Sequence, residues 1–365
     1  MSKIKDYIKK EKVFFIAFIA AAVSVGFVPP DGEYLSYFDL RTLALLYCLM
    51  VVVSGLRGAG FFSYLAHSLC SVCSNARTLG TVLVLLCFFS SMLVTNDVAL
   101  LTFVPFAVVV LGMAHESKML VLVVVLQTVA ANLGSMLTPV GNPQNLYLYS
   151  RYSMTLGDFF SATLPVWLVS LALILALCFV LPRAKVSIYL GEAPSMDARS
   201  LGIYTVLFAV ALLVVFRLIS WVVMLCCIVG FLIIYDRKML LHADFALLAT
   251  FICFFIFSGN LARIDAVNAF LRSIVSGREL IAGVAASQVI SNVPAALLLS
   301  GFTDNARSLL LGVDIGGLGT PVASLASLIS LKLYSHSEHS GTGRFMLLFS
   351  AVNILFLAVL LLIFA

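Results

Sequence analysis

Charged residues are scarce in this sequence. Asp, Glu, Lys and Arg make up 11% of the 365 residues, whereas 62% of the residues are hydrophobic and the mean hydropathy is +1.13. Soluble domains carry about a quarter charged residues, so this scarcity excludes a soluble fold. The composition predicts an all-α polytopic membrane protein whose main surroundings are the lipid bilayer. The net charge of +5 comes from basic residues between apolar runs, and we expect no nucleic-acid partner.

The sequence also lacks the short motifs of common enzyme and nucleotide-binding sites. It contains no HExxH, GxSxG or Walker-type pattern. We therefore predict neither an enzyme nor a bound cofactor, and no catalytic residues. The eight cysteines lie mostly in apolar runs, where Cys behaves as a small hydrophobic residue. Cys70 and Cys73 form one CxxC, which offers too few ligands to predict a metal site.

Long apolar runs predict the membrane spans, because a helix needs about 20 apolar residues to cross a bilayer. The runs lie at 13–29, 39–56, 78–94, 98–112, 119–137, 158–181, 201–217, 219–235, 244–260, 280–302, 308–333 and 345–365. We expect about 10–11 transmembrane helices, since some of these runs are too short or too broken to cross alone. The shorter, mixed segment 58–74 predicts an interfacial helix.

Basic residues predict the orientation, because Lys and Arg accumulate in cytoplasmic loops. Five lysines precede residue 13, whereas the next loop carries Asp31, Glu33 and Asp39. We expect a cytoplasmic N-terminus, an external C-terminus and, from the short loops, a bacterial inner membrane. This path requires segments 78–112 and 280–302 to be re-entrant hairpins that enter from opposite sides.

The polar stretch 131–149, ANLGSMLTPVGNPQNLYLY, interrupts this apolar pattern. Pro139 and Pro143 remove backbone donors and clash with the preceding turn, so a broken helix is predicted. Unpaired backbone groups at membrane depth are tolerated where they line a cavity or are buried in protein. The stretch is therefore the first candidate for a binding site.

A second segment repeats this pattern. Residues 90–106, SSMLVTNDVALLTFVPF, precede the first broken helix, and residues 287–302, SQVISNVPAALLLSGF, precede the sequence GVDIGGLGTPVASLASLISLKLYS. Aligning Thr138 with Thr320 pairs the polar and glycine positions Asn132 with Asp314, Gly134 with Gly316, Asn142 with Ser324, and Asn145 with Ser327. Broken helices at matching points of two inverted halves are typical of a midplane substrate site in secondary transporters.

An Asn-containing hairpin followed by a broken Gly/Thr/Pro/Asn helix, present twice, resembles the ion transporter superfamily. That superfamily includes citrate-type carriers, divalent-anion:sodium symporters, arsenite-efflux permeases and some Na⁺/H⁺ antiporters. Thr95-Asn96-Asp97 and Ser291-Asn292-Val293 occupy the places of the Ser-Asn-Thr motifs of the dicarboxylate symporters, although neither is an intact copy. The resemblance implies hairpins that open to opposite sides, a homodimer formed by a scaffold region, and transport by an elevator movement.

This organisation divides the chain into four predicted regions. Residues 1–76 form N-terminal scaffold helices, and residues 183–243 form central scaffold helices and a linker. The first transport repeat occupies 77–182, with its hairpin at 77–112 and its broken helix at 119–149. The second occupies 244–365, with its hairpin at 280–304, its broken helix at 308–335 and the last helix.

The site residues are predicted from the two motifs. For the substrate they are Thr95, Asn96, Thr138, Asn142, Asn145, Ser291, Asn292, Thr320 and Ser324. For a coupling cation they are Asn96, Asp97, Asn132, Gly141, Asn292 and Asp314. Neither motif contains Lys or Arg, so anion binding would depend on helix dipoles, amides and co-bound Na⁺.

Asp97 and Asp314 are the most informative single residues, because a carboxylate in a membrane segment costs about 2.5–3.5 kcal/mol on insertion scales. Either could hold Na⁺ or carry a coupling proton. The structural alternatives are that Asp97 caps the returning hairpin arm and that Asp314 lies at the water interface.

The sequence predicts a secondary active transporter of a small anion, with a carboxylate favoured, coupled to Na⁺ or H⁺. Alternatives within the superfamily are arsenite or oxyanion efflux and Na⁺/H⁺ antiport. An ion channel is the alternative from another class, and paired hairpins in inverted repeats disfavour it. His336 and His339 have a metal-like spacing, but a solvated loop explains them better.

Overall fold

A computed structural model describes residues 11–113, 117–185, 191–335 and 341–365. This part of the chain is helical, apart from one isolated bridge between Asn75 and Lys185. Seven of its helices are long and apolar enough to cross a membrane, and five shorter helices are also apolar. The protein is therefore a multi-pass α-helical membrane protein, as the composition predicts.

Seventeen α-helices follow one another along the described residues. They are α1 (Lys12–Phe27), α2 (Leu40–Gly58), α3 (Phe61–Ser71), α4 (Ala76–Val94), α5 (Asn96–Met113), α6 (Ser117–Ser135), α7 (Pro143–Arg151), α8 (Leu156–Cys178), α9 (Ala198–Val215), α10 (Trp221–Tyr235), α11 (Phe245–Ala262), α12 (Asp265–Val275), α13 (Glu279–Ile290), α14 (Asn292–Leu299), α15 (Ala306–Ile315), α16 (Leu325–Ser335) and α17 (Thr342–Phe364). Short 3₁₀ helices occupy Gly32–Tyr37 and Met239–His242.

Polar caps set where several helices begin. The Asn75 side chain accepts a hydrogen bond from the Thr78 amide and begins α4, and Asp244 accepts one from the Leu247 amide and begins α11. Each cap satisfies a backbone donor that the first turn of a helix leaves free. These caps explain why the observed helices begin close to the predicted boundaries of the apolar runs.

The first unit, defined here as residues 76–151, is a hairpin followed by a broken helix. Helices α4 and α5 form the hairpin, and both pack against α6. Helix α6 ends at Ser135, and the chain resumes helical structure at Pro143 in α7. Asn142 caps α7, and Pro143 takes the first helical position, where its missing N–H costs nothing. The predicted break is therefore present.

The second unit, residues 279–335, repeats this order. Helices α13 and α14 form a hairpin, and both pack against α15. Helix α15 ends at Ile315 and α16 begins at Leu325. The two units are joined where α14 and α15 pack on α7, and where α16 packs on α5 and α6.

A second group of helices packs around α2. Helices α9 and α10 lie against α2, and α11 lies along α1 and also contacts α14. On one face, Arg263 forms ion pairs with Asp31 at 2.7 Å and with Glu33 at 3.4 Å. The hydrogen bond from Arg263 holds the pKa of Asp31 below its usual range. These contacts tie the loop after α1 to the end of α11.

One helix differs from the sequence-based picture. Helix α12 occupies residues that the apolar runs left as a loop, because its apolar residues recur at helical spacing rather than continuously. Helix α5 continues through Pro105, in agreement with the predicted run 98–112. Helix α3 falls within the predicted interfacial segment 58–74, whereas His336 and His339 lie outside the described residues.

Candidate functional site

Each hairpin turns at one residue with an unusual backbone. Thr95 has φ 73° and ψ 152°, and Ser291 has φ 75° and ψ 154°. These values lie in a region that glycine tolerates far better than other residues, so each tip is strained. The matching angles show that the two tips have the same local shape.

The residue after each turn fastens the tip to a broken helix. The backbone N–H of Asn96 donates to the Gly141 carbonyl at 3.2 Å, and the backbone N–H of Asn292 donates to the Ala323 carbonyl at 2.9 Å. Gly141 and Ala323 are equivalent in the alignment that pairs Thr138 with Thr320. The structure therefore confirms the internal repeat at the level of individual hydrogen bonds.

The aligned threonines give a second matching pair of contacts. Thr138 Oγ1 donates to the Met92 carbonyl at 2.5 Å, and Thr320 Oγ1 donates to the Gln288 carbonyl at 3.2 Å. Both acceptors lie three residues before the strained tip residue. These two substrate candidates therefore brace the hairpins in this structure, and Thr320 is also exposed.

Contacts that cross from one unit to the other bring the remaining polar residues together. Asn132 Oδ1 accepts from Asn96 Nδ2 at 3.1 Å and from Ser324 Oγ at 2.9 Å. Asp314 Oδ1 accepts from Asn142 Nδ2 at 3.5 Å. Asn132 and Asp314 are equivalent, as are Asn142 and Ser324, so each unit makes the same contact to the other.

Four helix N-termini meet at one small void of about 10 Å³ between the units. Its lining includes the residues at the starts of α5, α7, α14 and α16: Asn96, Asp97, Pro143, Gln144, Asn292, Val293, Ser324 and Leu325. Each N-terminus carries a partial positive charge, which favours an anion. Asp97 is the one charged side chain among the residues lining this void.

A larger cavity of about 330 Å³ reaches the same region from one end of α2. Thr95, Asp97 and Asn142 line its inner part, next to the first hairpin tip. Arg57, His242 and Asp244 line its outer part; we call this side the Arg57 face. The cavity gives a solute from this face access to Asp97.

A third cavity, of about 560 Å³, lies at the opposite end of α2 and is lined by Asp39, Arg41 and Arg263 among others. We call this side the Arg263 face. Tyr147 and Ser300 line its floor and share a hydrogen bond of 2.8 Å. The residues of the central void are absent from its lining. The cavity on the Arg57 face therefore shares lining residues with the central void, whereas the cavity on the Arg263 face shares none.

Several oxygen atoms near the site are buried without a hydrogen-bond partner. They are Asp97 Oδ1, Gln144 Oε1, Asn145 Oδ1 and Asp314 Oδ2. Oxygen atoms of carboxylates and amides are the ligands that hard cations prefer. In the described part of the chain, no group of three His, Cys, Asp or Glu residues could hold a metal ion. The arrangement therefore suits a monovalent cation better than a divalent metal.

The structure assembles most of the predicted site. The positions that meet at the unit interface or at a tip are Thr95, Asn96, Asp97, Asn132, Gly141, Asn142, Ser291, Asn292, Asp314 and Ser324. Asn145 Nδ2 donates to the Met136 and Thr138 carbonyls and holds the break in shape, while Asn145 Oδ1 has no partner. The interface alternative for Asp314 is wrong, because this side chain is only 2% exposed.

Sequence reasoning missed three residues of the region. Gln144 lines the void and donates to Asp314, Asp244 lines the cavity entrance, and Ala323 accepts the tip hydrogen bond. Two of them had a sequence signal: the alignment pairs Ala323 with Gly141, and Gln144 is an amide in the polar stretch 131–149. Asp244 lies in a segment with no resemblance to either motif, so only the folded chain places it there.

Comparison with known proteins places the chain among transporters. Residues 8–307 match the family described as citrate transporter. The chain is 32% identical over 333 residues to an uncharacterized transporter of Methanocaldococcus jannaschii, covering 90% of each protein. It is 28% identical over 331 residues to inner membrane protein YbiR of Escherichia coli, covering 88% of this chain and 87% of YbiR. Silicon efflux transporter LSI3 of Oryza sativa is 31% identical over 160 residues, 43% of this chain and 32% of that protein.

Proposed function

The chain belongs to the citrate transporter family and is a secondary membrane transporter, and we propose that it moves a small anion, with a carboxylate favoured, coupled to Na⁺ or H⁺. The observation that carries the anion assignment is the void at which α5, α7, α14 and α16 begin. The four partial positive charges can attract an anion without a Lys or Arg side chain.

We propose that the coupling cation offsets the charge of this anion. Asp97 lies beside the void and has one oxygen without a partner. The Gly141 and Ala323 carbonyls lie beside the two tips, where broken helices commonly offer carbonyls to Na⁺. A cation on Asp97 or at a tip would bring positive charge next to the bound anion and so make anion and cation binding mutually favourable.

We propose an elevator movement of the two transport repeats against α2 and its neighbours. The support is that cavities occupy opposite ends of α2, whereas only the one on the Arg57 face reaches Asp97. Movement along α2 would carry the site from one cavity to the other. The distribution of Lys and Arg favours the Arg57 face as the cytoplasmic side. We also propose that the protein forms a homodimer through its scaffold helices.

Uptake into proteoliposomes tests this function. Citrate, succinate, arsenite and Na⁺ are offered in turn, each under an inward Na⁺ gradient, an inward H⁺ gradient or neither. We expect uptake of a carboxylate that depends on one of the gradients, because the cation and the anion stabilise each other at the site. Carboxylate flux that is the same with and without every gradient would contradict coupling and would favour a channel.

Asp97→Asn tests the coupling carboxylate. The change keeps the size of the side chain and removes its negative charge. We expect the Na⁺ or pH dependence of uptake to weaken at least tenfold, about 1.4 kcal/mol of lost cation binding. Asp265→Asn, at the exposed start of α12, is the matched control. Transport by Asp97→Asn with unchanged Na⁺ and pH dependence would contradict the role of Asp97.

A second candidate is efflux of a neutral oxyacid such as arsenous acid. The observation that favours it is the charge of the cavity on the Arg57 face, which has Asp97 and Asp244 in its lining against Arg57. This balance attracts a carboxylate anion poorly and admits a neutral hydroxylated solute. The silicon transport stated in the name of the rice relative agrees with such a substrate. Arsenite flux without carboxylate flux in the same proteoliposomes would select this candidate.

A further inference from the structure

The Asp314 carboxylate is buried between the two units without a matching positive charge. It is 2% exposed, and one oxygen accepts long hydrogen bonds from Gln144 Nε2 at 3.3 Å and Asn142 Nδ2 at 3.5 Å. Its other oxygen, Oδ2, has no partner. Two ion pairs of the described residues join Arg263 to acidic residues on the Arg263 face, and neither reaches Asp314.

Two side-chain amide oxygens beside Asp314 also lack hydrogen-bond partners. Gln144 Oε1 and Asn145 Oδ1 are buried without partners, and both side chains are at most 2% exposed. The Gln144 amide donates to the carboxylate, and the neighbouring Asn145 side chain interacts with it electrostatically. Buried polar atoms are normally satisfied, so three unpartnered oxygens on neighbouring side chains require an explanation.

The internal repeat shows that a carboxylate is not needed here to build the fold. The equivalent position in the first unit is Asn132, whose neutral amide accepts two hydrogen bonds and donates one to the Gly317 carbonyl at 3.5 Å. A buried charge costs several kcal/mol unless it is paired or coordinates an ion. The second unit therefore carries an expensive charge where the first unit uses an amide.

We propose that Asp314 Oδ2, Gln144 Oε1 and Asn145 Oδ1 form a Na⁺ site that is separate from the two hairpin tips. A half-turn of the Gln144 amide exchanges its nitrogen and oxygen, so this side chain donates to the carboxylate without an ion and becomes a ligand when Na⁺ binds. A proton on Asp314 would satisfy one acceptor and leave the other amide oxygen buried and unpaired. A divalent ion would require more carboxylates than this site offers.

This site joins the two units, because the carboxylate comes from α15 and both amides come from α7. Its role as a coupling site rests on the proposed transport function, but its binding of Na⁺ does not. Filling it would neutralise the charge of Asp314 and tighten the contact between the broken helices. Binding can therefore be tested without any substrate.

Equilibrium binding of ²²Na⁺ to the purified full chain in detergent is the experiment, with choline chloride holding the ionic strength constant. The Asp314→Asn variant installs the residue type that the first unit uses, so it should fold. We expect it to bind one Na⁺ fewer per chain than the natural sequence. Gln144→Met, which removes one ligand and keeps the Asp314 carboxylate, should weaken Na⁺ binding about tenfold. Asp265→Asn should change neither.

Equal Na⁺ stoichiometry in the natural chain and Asp314→Asn would overturn the site. The site would also be overturned if acidification raised the melting temperature only when Asp314 is present, while added Na⁺ left the melting temperature unchanged. The buried carboxylate would then bind a proton instead of Na⁺. If Asp314→Asn fails to fold, unchanged Na⁺ affinity in Gln144→Met overturns the proposal instead. A chain that binds Na⁺ through Asp314 but transports no substrate supports the Na⁺ site and contradicts the proposed function. A chain that transports substrate but does not bind Na⁺ through Asp314 supports the proposed function and contradicts the Na⁺ site.

Discussion

The first unit and the second unit make equivalent contacts, although their hairpin helices differ in length. In both, a strained tip residue precedes an Asn whose amide donates to the broken helix, and a Thr of the break donates to the hairpin. The hairpin arms differ greatly in length: 19 and 18 residues in the first unit, but 12 and 8 in the second. At 1.5 Å per residue these are about 28 and 27 Å against about 18 and 12 Å.

The difference in arm length shows which features of the two units can vary and which are the same in both. The arms of the first hairpin approach the roughly 30 Å thickness of the hydrocarbon core, whereas those of the second do not. Arm length therefore varies while the contacts at the tips and breaks stay fixed. The proposed site is built from residues at these points, and the helices that carry them place them there. Substitutions at equivalent positions test this comparison.

The largest effect is expected at the glycine that lets each broken helix approach its hairpin. A Cβ on Gly134 would lie 2.1 Å from the Phe88 carbonyl oxygen, and one on Gly316 would lie 2.6 Å from the Gly312 carbonyl oxygen and 2.7 Å from Ser287 Oγ. Because the backbone overlap is closer at Gly134, we expect Gly134→Ala to cost about 3 kcal/mol or to prevent folding, and Gly316→Ala to cost less. Melting temperatures in detergent provide the measurement. Gly230→Ala, which meets nothing within 4 Å, is the control that both variants should fall below.

A second prediction reverses the difference between Asn132 and Asp314, the equivalent positions on the two broken helices. Asn132→Asp removes the donor to the Gly317 carbonyl and adds a buried charge at a position whose acceptor sites are already used. We expect it to destabilise the protein by about 2 kcal/mol, whereas Asp314→Asn should be close to neutral. The melting temperatures of the two variants decide this. Equal losses would mean that the two positions are more alike than their hydrogen bonds indicate.

The two tip asparagines should matter similarly for transport. Asn96→Ala and Asn292→Ala remove the side chains that line the shared void while keeping the backbone hydrogen bonds. We expect each to lower the initial rate of uptake about tenfold, equivalent to about 1.4 kcal/mol. Asn268→Ala on α12, outside the site, is the control. A large loss of uptake for one of these two variants, with full uptake for the other, would contradict a site shared by both units.

The smallest effect is expected at the aligned threonines. Thr138→Val removes a half-buried hydrogen bond to the Met92 carbonyl and should cost about 1 kcal/mol. Thr320→Val should cost less, because Thr320 is exposed and its amide still donates to Gln288 Oε1 at 2.9 Å. Chemical denaturation or melting of both variants ranks them. A larger loss for Thr320→Val would show that exposure does not control the value of this contact.

Much of the fold could be predicted because the apolar runs and their interruptions have direct physical causes. Pro139 and Pro143 cannot continue a helix from the preceding turn, and the break occurs between Ser135 and Pro143. Aligning two such breaks also predicted which residues are equivalent, and the paired contacts of Gly141 and Ala323 confirm that alignment. Helix α12 was missed because a search for long apolar runs does not detect a short helix with one apolar face.

The site was harder to predict than the break. Asn96, Asn132 and Asn142 were recognised because amides are unusual in an apolar helix. Gln144 is just as unusual, but the side to which it points depends on how α7 is rotated, and the sequence does not set that rotation. The contact of Asn132 with Ser324 likewise joins residues almost two hundred positions apart. Such pairings follow only from how the two units pack.

The crossed contacts of Asn132 with Ser324 and of Asp314 with Asn142 have the form of an interface between identical subunits. When two copies of one protein meet across a twofold axis, every contact between residues i and j occurs twice. Here both copies are parts of one chain, which removes a constraint. In a dimer of identical subunits, a carboxylate at this position would appear on both sides of the axis. Covalent linkage lets one copy carry the charge while the other keeps the amide, so a symmetric framework can hold an asymmetric charge.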